Sequence, residues 1–310
     1  KRLCIRRLFA SILYYRVLIK LKPAILIVTS HELLPASIVY KAFYPSRVIY
    51  DVRENYYRNI KYLNTYPAIV KDLLAIWVRC KETLAARFID HFILAEKCYS
   101  SELPFVQNRY TIVENKAEQP VETYNKIQSH QSPKIVILFT GSIASSTGIF
   151  ECIETIKNLH TLDAKITLKI VGYCPDKSTL KKVELLINNT PHIELIGGGD
   201  LVSHEVILKH ILQADFGFIY YPPNKANDHC IPTKVYEYLA ASLPYITTEI
   251  NSFQDLTTMY HSGMFLDFNR PNYVHLLQQL YDFKSIKNEP KTGIYWEEEK
   301  ENLLDLLDIK

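Results

Sequence analysis

Apolar and polar positions alternate regularly along the second half of the chain. Apolar runs predict strands at 134–140, 166–171, 192–196, 216–221, 244–247 and 264–267. Between them the pattern predicts helices at 148–160, 178–188, 203–213, 233–241, 252–260 and 271–283. Strands that alternate with helices through short connections are typical of a parallel sheet covered on both faces. The second half is therefore predicted to be a Rossmann-like domain.

The first half repeats this pattern less regularly. It predicts strands at 24–29, 47–51, 91–95 and 110–113 and helices at 5–20, 33–43 and 67–88. A polar stretch rich in Gln, Ser, His and Pro follows, and we expect a linker at 117–133. The chain is thus predicted to be an α/β protein with an N-terminal domain at 1–116 and a C-terminal domain at 134–293.

Composition places the chain among ordinary globular proteins. Its 310 residues are enough for two domains, and 48% are hydrophobic and 22% charged. The six cysteines are scattered without a C-x-x-C spacing, which argues against a zinc site or a disulfide framework and favours a reducing cytoplasm. No signal peptide and no run of 18 or more apolar residues is visible, so we expect a cytoplasmic protein without a membrane span.

The net charge of +3 is unevenly distributed. Residues 1–130 hold 20 Lys and Arg against 11 Asp and Glu, a local +9, whereas the other 180 residues hold 16 against 22, a local −6. A basic half indicates an anionic partner such as lipid phosphate, acidic glycan or nucleic acid, although mere surface solubility explains it equally well. The segment 5–20 mixes apolar and basic residues, as an interfacial helix does, but an ordinary helix packed on a sheet explains it too.

The segment 232–246 carries the most specific chemical signal. Its proline favours the first turn of a helix, and Val235 and Leu239 share one face of that helix. The free N–H groups at a helix start suit a phosphate. Glu237, one turn deeper, can accept hydrogen bonds from the two hydroxyls of a ribose. Phosphate and ribose together predict a nucleotide site.

This segment resembles the donor-site helix of GT-B glycosyltransferases, especially glycosyltransferase family 4. The family pattern is roughly Pro-Ser/Thr-Lys-x-x-Glu-Tyr-x-Ala-x-Gly-x-Pro. Pro232, Thr233, Lys234 and Glu237 match that pattern, and Ser242 stands where the family usually carries glycine. The resemblance assigns Pro232, Thr233, Lys234 and Glu237 to donor binding, with Lys234 and Glu237 also acting in catalysis.

The resemblance implies two Rossmann-like domains facing a cleft, with the donor on the second domain and the acceptor on the first. A complete first domain of this family has more strands than the four predicted here, so we expect it to be incomplete at its N-terminus. The segment 294–310 resembles the Trp-Glu helix with which such proteins often cross back to the first domain.

The stretch from Phe139 to Ile149 joins the first predicted strand of the second domain to its helix. Gly141 allows a tight turn there, and Ser142 offers a small hydroxyl to a diphosphate. The resembled family carries an Arg and a Lys in this stretch, where Ser142 and Thr147 stand here. Because a leaving diphosphate needs charge stabilisation, we expect Lys234 to supply it, with Lys225 as the alternative.

Two further strand ends resemble the base-binding edges of the family. The residues that we expect there are Gly172, Tyr173, Leu195, Ile196 and Gly197. The family also has an additional glutamate, whose position is taken by His229 in this chain. The neighbouring Asp228 could reach a sugar hydroxyl instead, and a structural role for His229 is equally consistent.

In the first half, the strand end at 49–54 resembles the Tyr-Asp-x-His-Glu segment of the family, with Arg53 in place of the histidine. Arg53 and Glu54, with His31 at the end of the preceding strand, are therefore candidates for chemistry on the acceptor side. A structural ion pair between Arg53 and a neighbouring carboxylate explains the charged cluster equally well.

The resemblance implies retaining transfer of a hexose-type sugar from a UDP- or GDP-sugar to a glycan or lipid-linked acceptor, as in surface polysaccharide or glycan biosynthesis. No cofactor and no metal are expected, since the sequence has no Asp-x-Asp pair. A nucleic acid partner is not expected, whereas peripheral contact with the anionic inner membrane surface is. Two alternatives stay open: a nucleotide-sugar epimerase of the same fold, and a catalytically impaired nucleotide-sugar-binding homologue.

Overall fold

The computed structural model describes residues 9–63, 66–119, 134–226, 228–248, 252–283 and 292–307, which form two compact units. The first unit contains the described residues up to Asn115, those of Lys225–Asn227 and those from Glu297 onward. The second contains the described residues of Lys116–Asn224 and Asp228–Trp296. Most of the predicted linker, from residue 120 to 133, lies outside the described residues, as do the first residues of the helix predicted at 5–20.

In the first unit, strands alternate with helices around one parallel sheet. In chain order the elements are α1 (Ala10–Leu21), β1 (Ile25–Val28), α2 (Leu34–Phe43), β2 (Arg47–Val52), α3 (Tyr56–Tyr62), α4 (Ala68–Ala85), β3 (His91–Leu94), α5 (Tyr99–Glu102) and β4 (Tyr110–Ile112). The sheet order is β1-β2-β3-β4, with every neighbouring pair parallel. The four predicted strands are confirmed, whereas the short helices α3 and α5 were not predicted.

The burial of β2 explains why this segment forms a central strand. Val48, Ile49, Tyr50 and Val52 are all buried, as expected for a parallel strand covered on both faces. In β1, burial alternates along the strand instead, and only every second residue is buried. One face of β1 is therefore exposed, and the strand order places β1 at the edge of the described sheet.

The second unit is regular and larger. Its elements are β5 (Ile135–Ser142), α6 (Ile149–Leu162), β6 (Ile166–Tyr173), α7 (Lys177–Ile187), β7 (Ile193–Gly198), α8 (His204–Gln213), β8 (Phe216–Phe218), α9 (Thr233–Ala240), β9 (Tyr245–Thr247), α10 (Gln254–Tyr260), β10 (Gly263–Phe265) and α11 (Tyr273–Asp282). The six predicted strands and six predicted helices of this half are confirmed, with ends shifted by a few residues.

The strand order of this unit shows where the direction of winding switches. The six strands lie in the order β10-β9-β8-β5-β6-β7, and all neighbouring pairs are parallel. The chain thus starts in the middle of the sheet, moves outward to β7, and returns to β8 on the other side of β5. This is the order of a Rossmann fold, in which ligands bind beyond the carboxyl ends of the strands where the direction of winding switches, here between β5 and β8.

The core of the second unit lies on both faces of β5. Ile137 and Phe139 pack with residues of α6, α7 and α11 on one face, while Leu138 packs with α8 and α9 on the other. This explains why β5 reads as a continuous apolar run rather than an alternating one. The arrangement holds α9, which carries the predicted nucleotide residues, directly against the sheet.

The described chain closes with α12 (Trp296–Leu307). Just before it, Tyr295 forms an isolated parallel bridge with Ala117 in the second unit. From Glu297 onward the helix belongs to the first unit, where Arg47 Nη1 donates a hydrogen bond to the carbonyl oxygen of Leu306 at 2.8 Å. The first unit is therefore assembled from segments that lie far apart in the sequence. Within the described ranges, every helix is too short or too polar to cross a membrane.

Candidate functional site

Three strands of the second unit end side by side at one edge of the sheet. Gly141 pairs with Gly172, and Gly172 pairs with Gly197, so the three predicted glycines form one row. β5 continues to Ser142, beyond the strand end predicted at residue 140. Gly141 and Ser142 are therefore strand residues, and their backbone groups lie at fixed positions.

The absence of a side chain at Gly172 is required by the close approach of the neighbouring strand. A Cβ atom at Gly172 would lie 1.8 Å from the carbonyl oxygen of Gly141. The backbone of Gly141 itself has a φ of +93°. No residue other than glycine fits there without displacing backbone. The row consequently presents backbone groups rather than side chains at the edge.

The other predicted base-binding residues also present mainly backbone. Leu195 and Ile196 are half-buried in β7, and their side chains pack against the cores on opposite faces of the sheet. Tyr173 is the last residue of β6, and 36% of its surface is exposed. Of these side chains, that of Tyr173 is the most exposed.

Thr147 and Ser142, which replace the cations of the resembled family, differ in their surroundings. Thr147 Oγ1 lies 2.7 Å from the carbonyl oxygen of Ser142 and accepts a hydrogen bond from the N–H of Ala144 at 3.1 Å. Thr147 therefore holds the turn after β5 in place. Ser142 is exposed.

Lys234 reaches from α9 to the end of β5. Pro232 precedes the helix in an extended conformation, and Thr233 is its first residue. Lys234 Nζ donates a hydrogen bond to the carbonyl oxygen of Thr140 at 2.7 Å and lies 4.7 Å from the ring centroid of Phe139. Desolvation lowers the pKa of Lys234 to about 8. The structure thus places an ammonium group at the switch point of the sheet, next to the row of glycines.

Tyr238 fixes the orientation of α9. Its Oη lies 2.9 Å from Thr140 Oγ1 and 3.4 Å from the carbonyl oxygen of Leu138. A Cβ atom at Gly217 of β8 would lie 2.2 Å from the Tyr238 ring, so helix and sheet are in close contact. Because α9 is packed this tightly, Lys234 is presented from a rigid element.

Glu237 lies one turn further along α9 and contacts a residue that the sequence analysis missed. Its Oε1 is 2.8 Å from His204 Nε2, and its side chain is 13% exposed against 56% for His204. His204 is the first residue of α8, which follows the third strand of the glycine row. A histidine that opens the helix after this strand is the signal that could have identified it.

Asp228 and His229 form an exposed pair. Asp228 Oδ1 and His229 Nε2 are 3.7 Å apart, and their side chains are 43% and 56% exposed. The alternative cation Lys225 is grouped with the first unit, whereas Asp228 belongs to the second.

In the first unit, Arg53 and Glu54 follow β2 and are engaged by near neighbours. Arg53 Nε donates a hydrogen bond to Asp51 Oδ2 at 2.8 Å, and this bond raises the pKa of the guanidinium. Glu54 Oε2 accepts a hydrogen bond from Asn59 Nδ2 at 3.0 Å. The ion pair that was the structural explanation of this cluster is therefore present, with Arg53 still 65% exposed.

His31 is buried beside this cluster. Its Nδ1 lies 2.6 Å from Lys81 Nζ, and its ring meets Tyr56 edge to face with centroids 4.6 Å apart. Desolvation lowers the pKa of Lys81 and, together with nearby carboxylates, raises the pKa of Tyr56 to about 12. His31 thus contacts a lysine and a tyrosine that were not predicted.

Among the residues that the structure describes, no group of three or more His, Cys, Asp and Glu side chains is arranged to hold a metal ion.

Three solved structures with a similar fold are distant from this chain in sequence. Sucrose-phosphate synthase from Thermosynechococcus elongatus has a TM-score of 0.67 at 14% identity, covering 96% of this chain and 76% of its own. Trehalose 6-phosphate synthase from Burkholderia multivorans has a TM-score of 0.61 at 8% identity. The match covers 97% of this chain and 72% of the synthase. The pneumococcal O-GlcNAc transferase, solved with UDP and GlcNAc, has a TM-score of 0.60 at 12% identity. The match covers 95% of this chain and 59% of the transferase. The fold is that of the GT-B glycosyltransferases.

Sequence comparison identifies the family. No curated protein matches the chain. Residues 120–285, more than half of the chain, match the family described as glycosyl transferases group 1. This match contains the glycine row, Lys234 and Glu237. The chain therefore belongs to the group 1 glycosyltransferases.

Proposed function

We propose that the protein transfers a hexose-type sugar from a UDP- or GDP-sugar to a glycan or lipid-linked acceptor, with retention of the anomeric configuration. The observation that carries this proposal is the ammonium of Lys234, 2.7 Å from the Thr140 carbonyl at the switch point of the second unit. In a Rossmann fold this is where a bound nucleotide places its phosphates. The pneumococcal transferase of the same fold was solved with UDP, which supports a uridine donor.

The donor would be held by residues of the second unit. Lys234 and the N–H groups at the start of α9 face the diphosphate, and the Glu237 carboxylate accepts hydrogen bonds from the ribose hydroxyls. The backbone of Gly172 and Gly197 lies along the base. Because these groups are fixed by strands and a packed helix, little reorganisation is needed when the donor binds.

Transfer exchanges one bond at the anomeric carbon for another. The bond to the diphosphate oxygen breaks, the acceptor oxygen bonds to the same face of the carbon, and the proton of the acceptor hydroxyl is released. Lys234 stabilises the negative charge that develops on the departing diphosphate. Arg53, Glu54 and His31 of the first unit are proposed to contact the acceptor.

A second candidate is a nucleotide-sugar-binding protein without transfer activity. The observation that favours it is the turn after β5, where Thr147 makes backbone hydrogen bonds and Ser142 carries no charge. This turn leaves Lys234 to stabilise the leaving group without the two cations of the resembled family.

Titration of the purified protein with UDP, GDP and ADP, followed by incubation with the matching nucleotide-sugars, tests these candidates. We expect micromolar binding of UDP or GDP together with donor turnover, detected as released nucleotide. Binding without turnover supports the second candidate, and conversion of the donor into its epimer indicates an epimerase. If the protein binds none of the three nucleotides, the proposal is contradicted.

We also propose that the first unit contacts the inner membrane surface from the cytoplasmic side. Its helices α1 and α4 carry apolar side chains that are more than half exposed, namely Ile12, Leu13, Leu73, Trp77 and Leu84. Exposed Arg16 and Lys20 accompany them on α1. Apolar and basic side chains on one helix favour an interface with anionic lipid, at about 1 kcal/mol per basic residue near the surface.

Co-sedimentation with vesicles tests this contact. The protein should bind anionic vesicles at low salt, be released at high salt, and bind neutral vesicles weakly. The double variant Leu73→Ser/Trp77→Ser should reduce binding, whereas Leu185→Ser/Leu201→Ser, which changes exposed leucines of the second unit, should not. Equal binding to neutral and anionic vesicles, or none to either, favours a soluble acceptor.

A further inference from the structure

His204 is a residue of the second unit to which the resemblance gives no role. It contacts Glu237, for which we propose ribose binding, and the inference below rests on that proposal. We propose that His204 is a positioning residue of the donor site: its imidazole holds the Glu237 carboxylate in the orientation that accepts hydrogen bonds from both ribose hydroxyls. The ligand class concerned is therefore a ribonucleotide rather than a deoxyribonucleotide.

The geometry of the contact supports a direct positioning role. Nε2 of His204 and Oε1 of Glu237 are 2.8 Å apart, a normal hydrogen-bond distance. A carboxylate only accepts hydrogen bonds, so Nε2 must carry the hydrogen atom. The bond joins the first turn of α8 to α9, two helices that pack against the same face of the sheet. The carboxylate is thereby tied to a second rigid element.

The hydrogen-bonding capacity of the carboxylate leaves room for a ribose. The two oxygens of a carboxylate offer about four acceptor positions, and His204 uses one of them, on Oε1. Two neighbouring hydroxyls of a ribose need two more. His204 can consequently stay in place while the sugar binds, and a carboxylate that is already ordered loses less entropy on binding.

Glu237 and the proposed phosphate-binding cation have different hydrogen-bond partners. Lys234 lies three residues before Glu237 on the same helix, a spacing at which side chains of opposite charge attract each other. In the structure the carboxylate is bonded to His204, while the Lys234 ammonium is bonded to the Thr140 carbonyl.

The test compares the affinities for UDP and 2′-deoxy-UDP, or for GDP and 2′-deoxy-GDP if guanine is the base. The wild-type protein should prefer the ribonucleotide by about tenfold or more, since the deoxyribonucleotide lacks one hydrogen bond to a charged group. His204→Ala should lose most of this preference by weakening ribonucleotide binding, with a much smaller effect on the deoxyribonucleotide. His204→Gln, whose amide retains an N–H donor, should restore part of it.

Two further variants separate positioning from a general structural effect. In a Glu237→Ala background, His204→Ala should have no additional effect on the preference, because the group that it positions is gone. His275→Ala on α11, an exposed histidine in the same unit, should change neither affinity. Thermal unfolding of each variant checks that it is folded.

The outcomes distinguish this inference from the proposed function. If Glu237→Ala abolishes the ribose preference but His204→Ala retains it, Glu237 binds the ribose and the role of His204 is refuted. If His204→Ala binds UDP more tightly, His204 competes with the ribose, which also overturns the inference. If the wild-type protein binds neither UDP nor GDP, the proposed function itself fails and the inference fails with it.

Discussion

The strand ends of the two units handle charge differently. At the edge of the second unit, the Lys234 ammonium is bonded to the carbonyl oxygen of Thr140 and lies near aromatic rings. At the edge of the first unit, the Arg53 guanidinium is bonded to the carboxylate of Asp51. A carbonyl stabilises a cation without cancelling its charge, whereas a carboxylate neutralises it. The second edge is therefore prepared for an anion, and the first is not.

The solvent exposure of the two cations reinforces this difference. Burial lowers the pKa of Lys234 to about 8, so its charge is costly and is stabilised strongly by a partner of opposite sign. The side chain of Arg53 is 65% exposed, and an exposed ion pair contributes about 0–1 kcal/mol. The same type of charge is thus expected to matter far more at the edge of the second unit.

Removing each cation tests the comparison most severely. Lys234→Met should weaken UDP binding by about 30-fold or more, since charge-assisted hydrogen bonds contribute about 1.5–3 kcal/mol each. Uridine binding should change little, because uridine lacks the diphosphate. Arg53→Met is the matched control and should leave UDP affinity nearly unchanged. Calorimetric titration measures the affinity of Lys234→Met for UDP and for uridine and the affinity of Arg53→Met for UDP. An equal loss of UDP affinity in the two variants would refute the distinction between the edges.

Glu237→Ala removes the carboxylate and should weaken the binding of UDP and of uridine alike, by about tenfold or more, because both ligands carry the ribose. This pattern differs from that of Lys234→Met and divides the donor site into a phosphate part and a ribose part. Glu184→Ala on α7, an exposed glutamate of the same unit, provides the control. Unchanged nucleotide affinity in Glu237→Ala would remove the ribose assignment.

The pH dependence of UDP binding should follow the charge of Lys234. Its pKa in the folded protein is lowered from 10.5 to about 8, so the ammonium is present below pH 8 and is lost as the pH rises above it. A bound diphosphate favours the charged form, so binding above pH 8 takes up a proton and weakens by up to about tenfold per pH unit. Titrations at pH 7, 8 and 9 in buffers of different ionisation enthalpy measure both effects. Lys234→Met should abolish the dependence, and a flat wild-type profile would show that Lys234 does not bind the phosphates.

A smaller effect is expected at the other end of α9. Ser242 has a φ of +52°, in the left-handed region that favours glycine, and the N–H of Leu243 bonds to the Tyr238 carbonyl as in a helix C-terminal cap. Ser242→Gly should raise the free energy of unfolding by about 0.5 kcal/mol. Ala241→Gly, at a φ of −80°, should not raise it. Urea denaturation compares the two, and a destabilised Ser242→Gly variant would contradict this account of the family glycine.

Much of the fold could be predicted because its signals are local. The strands and helices of the second unit follow from runs and periods of apolar residues, and the glycines at the strand ends follow from their position after those runs. Local signals can also be overlooked. The seven-residue helix α3 has no clear apolar period, yet Asn55 caps it by accepting a hydrogen bond from the N–H of Arg58.

The candidate site was less predictable, since its contacts join distant residues. Lys234 and Thr140 are 94 positions apart, and His204 and Glu237 are 33 apart. The motif predicted Lys234 and Glu237 as residue types, but their partners depend on how α8 and α9 pack on the sheet. The pairing of Arg53 with Asp51, two positions away, could be considered from the sequence because it is local.

The return of α12 to the first unit has a consequence for biosynthesis. Because Arg47 bonds to the carbonyl of Leu306, the first unit includes residues that leave the ribosome after the whole second unit has been made. The unit that begins first is therefore finished last. While the residues from Glu297 onward are still inside the ribosome, the second unit can be complete whereas the first unit still lacks its last helix.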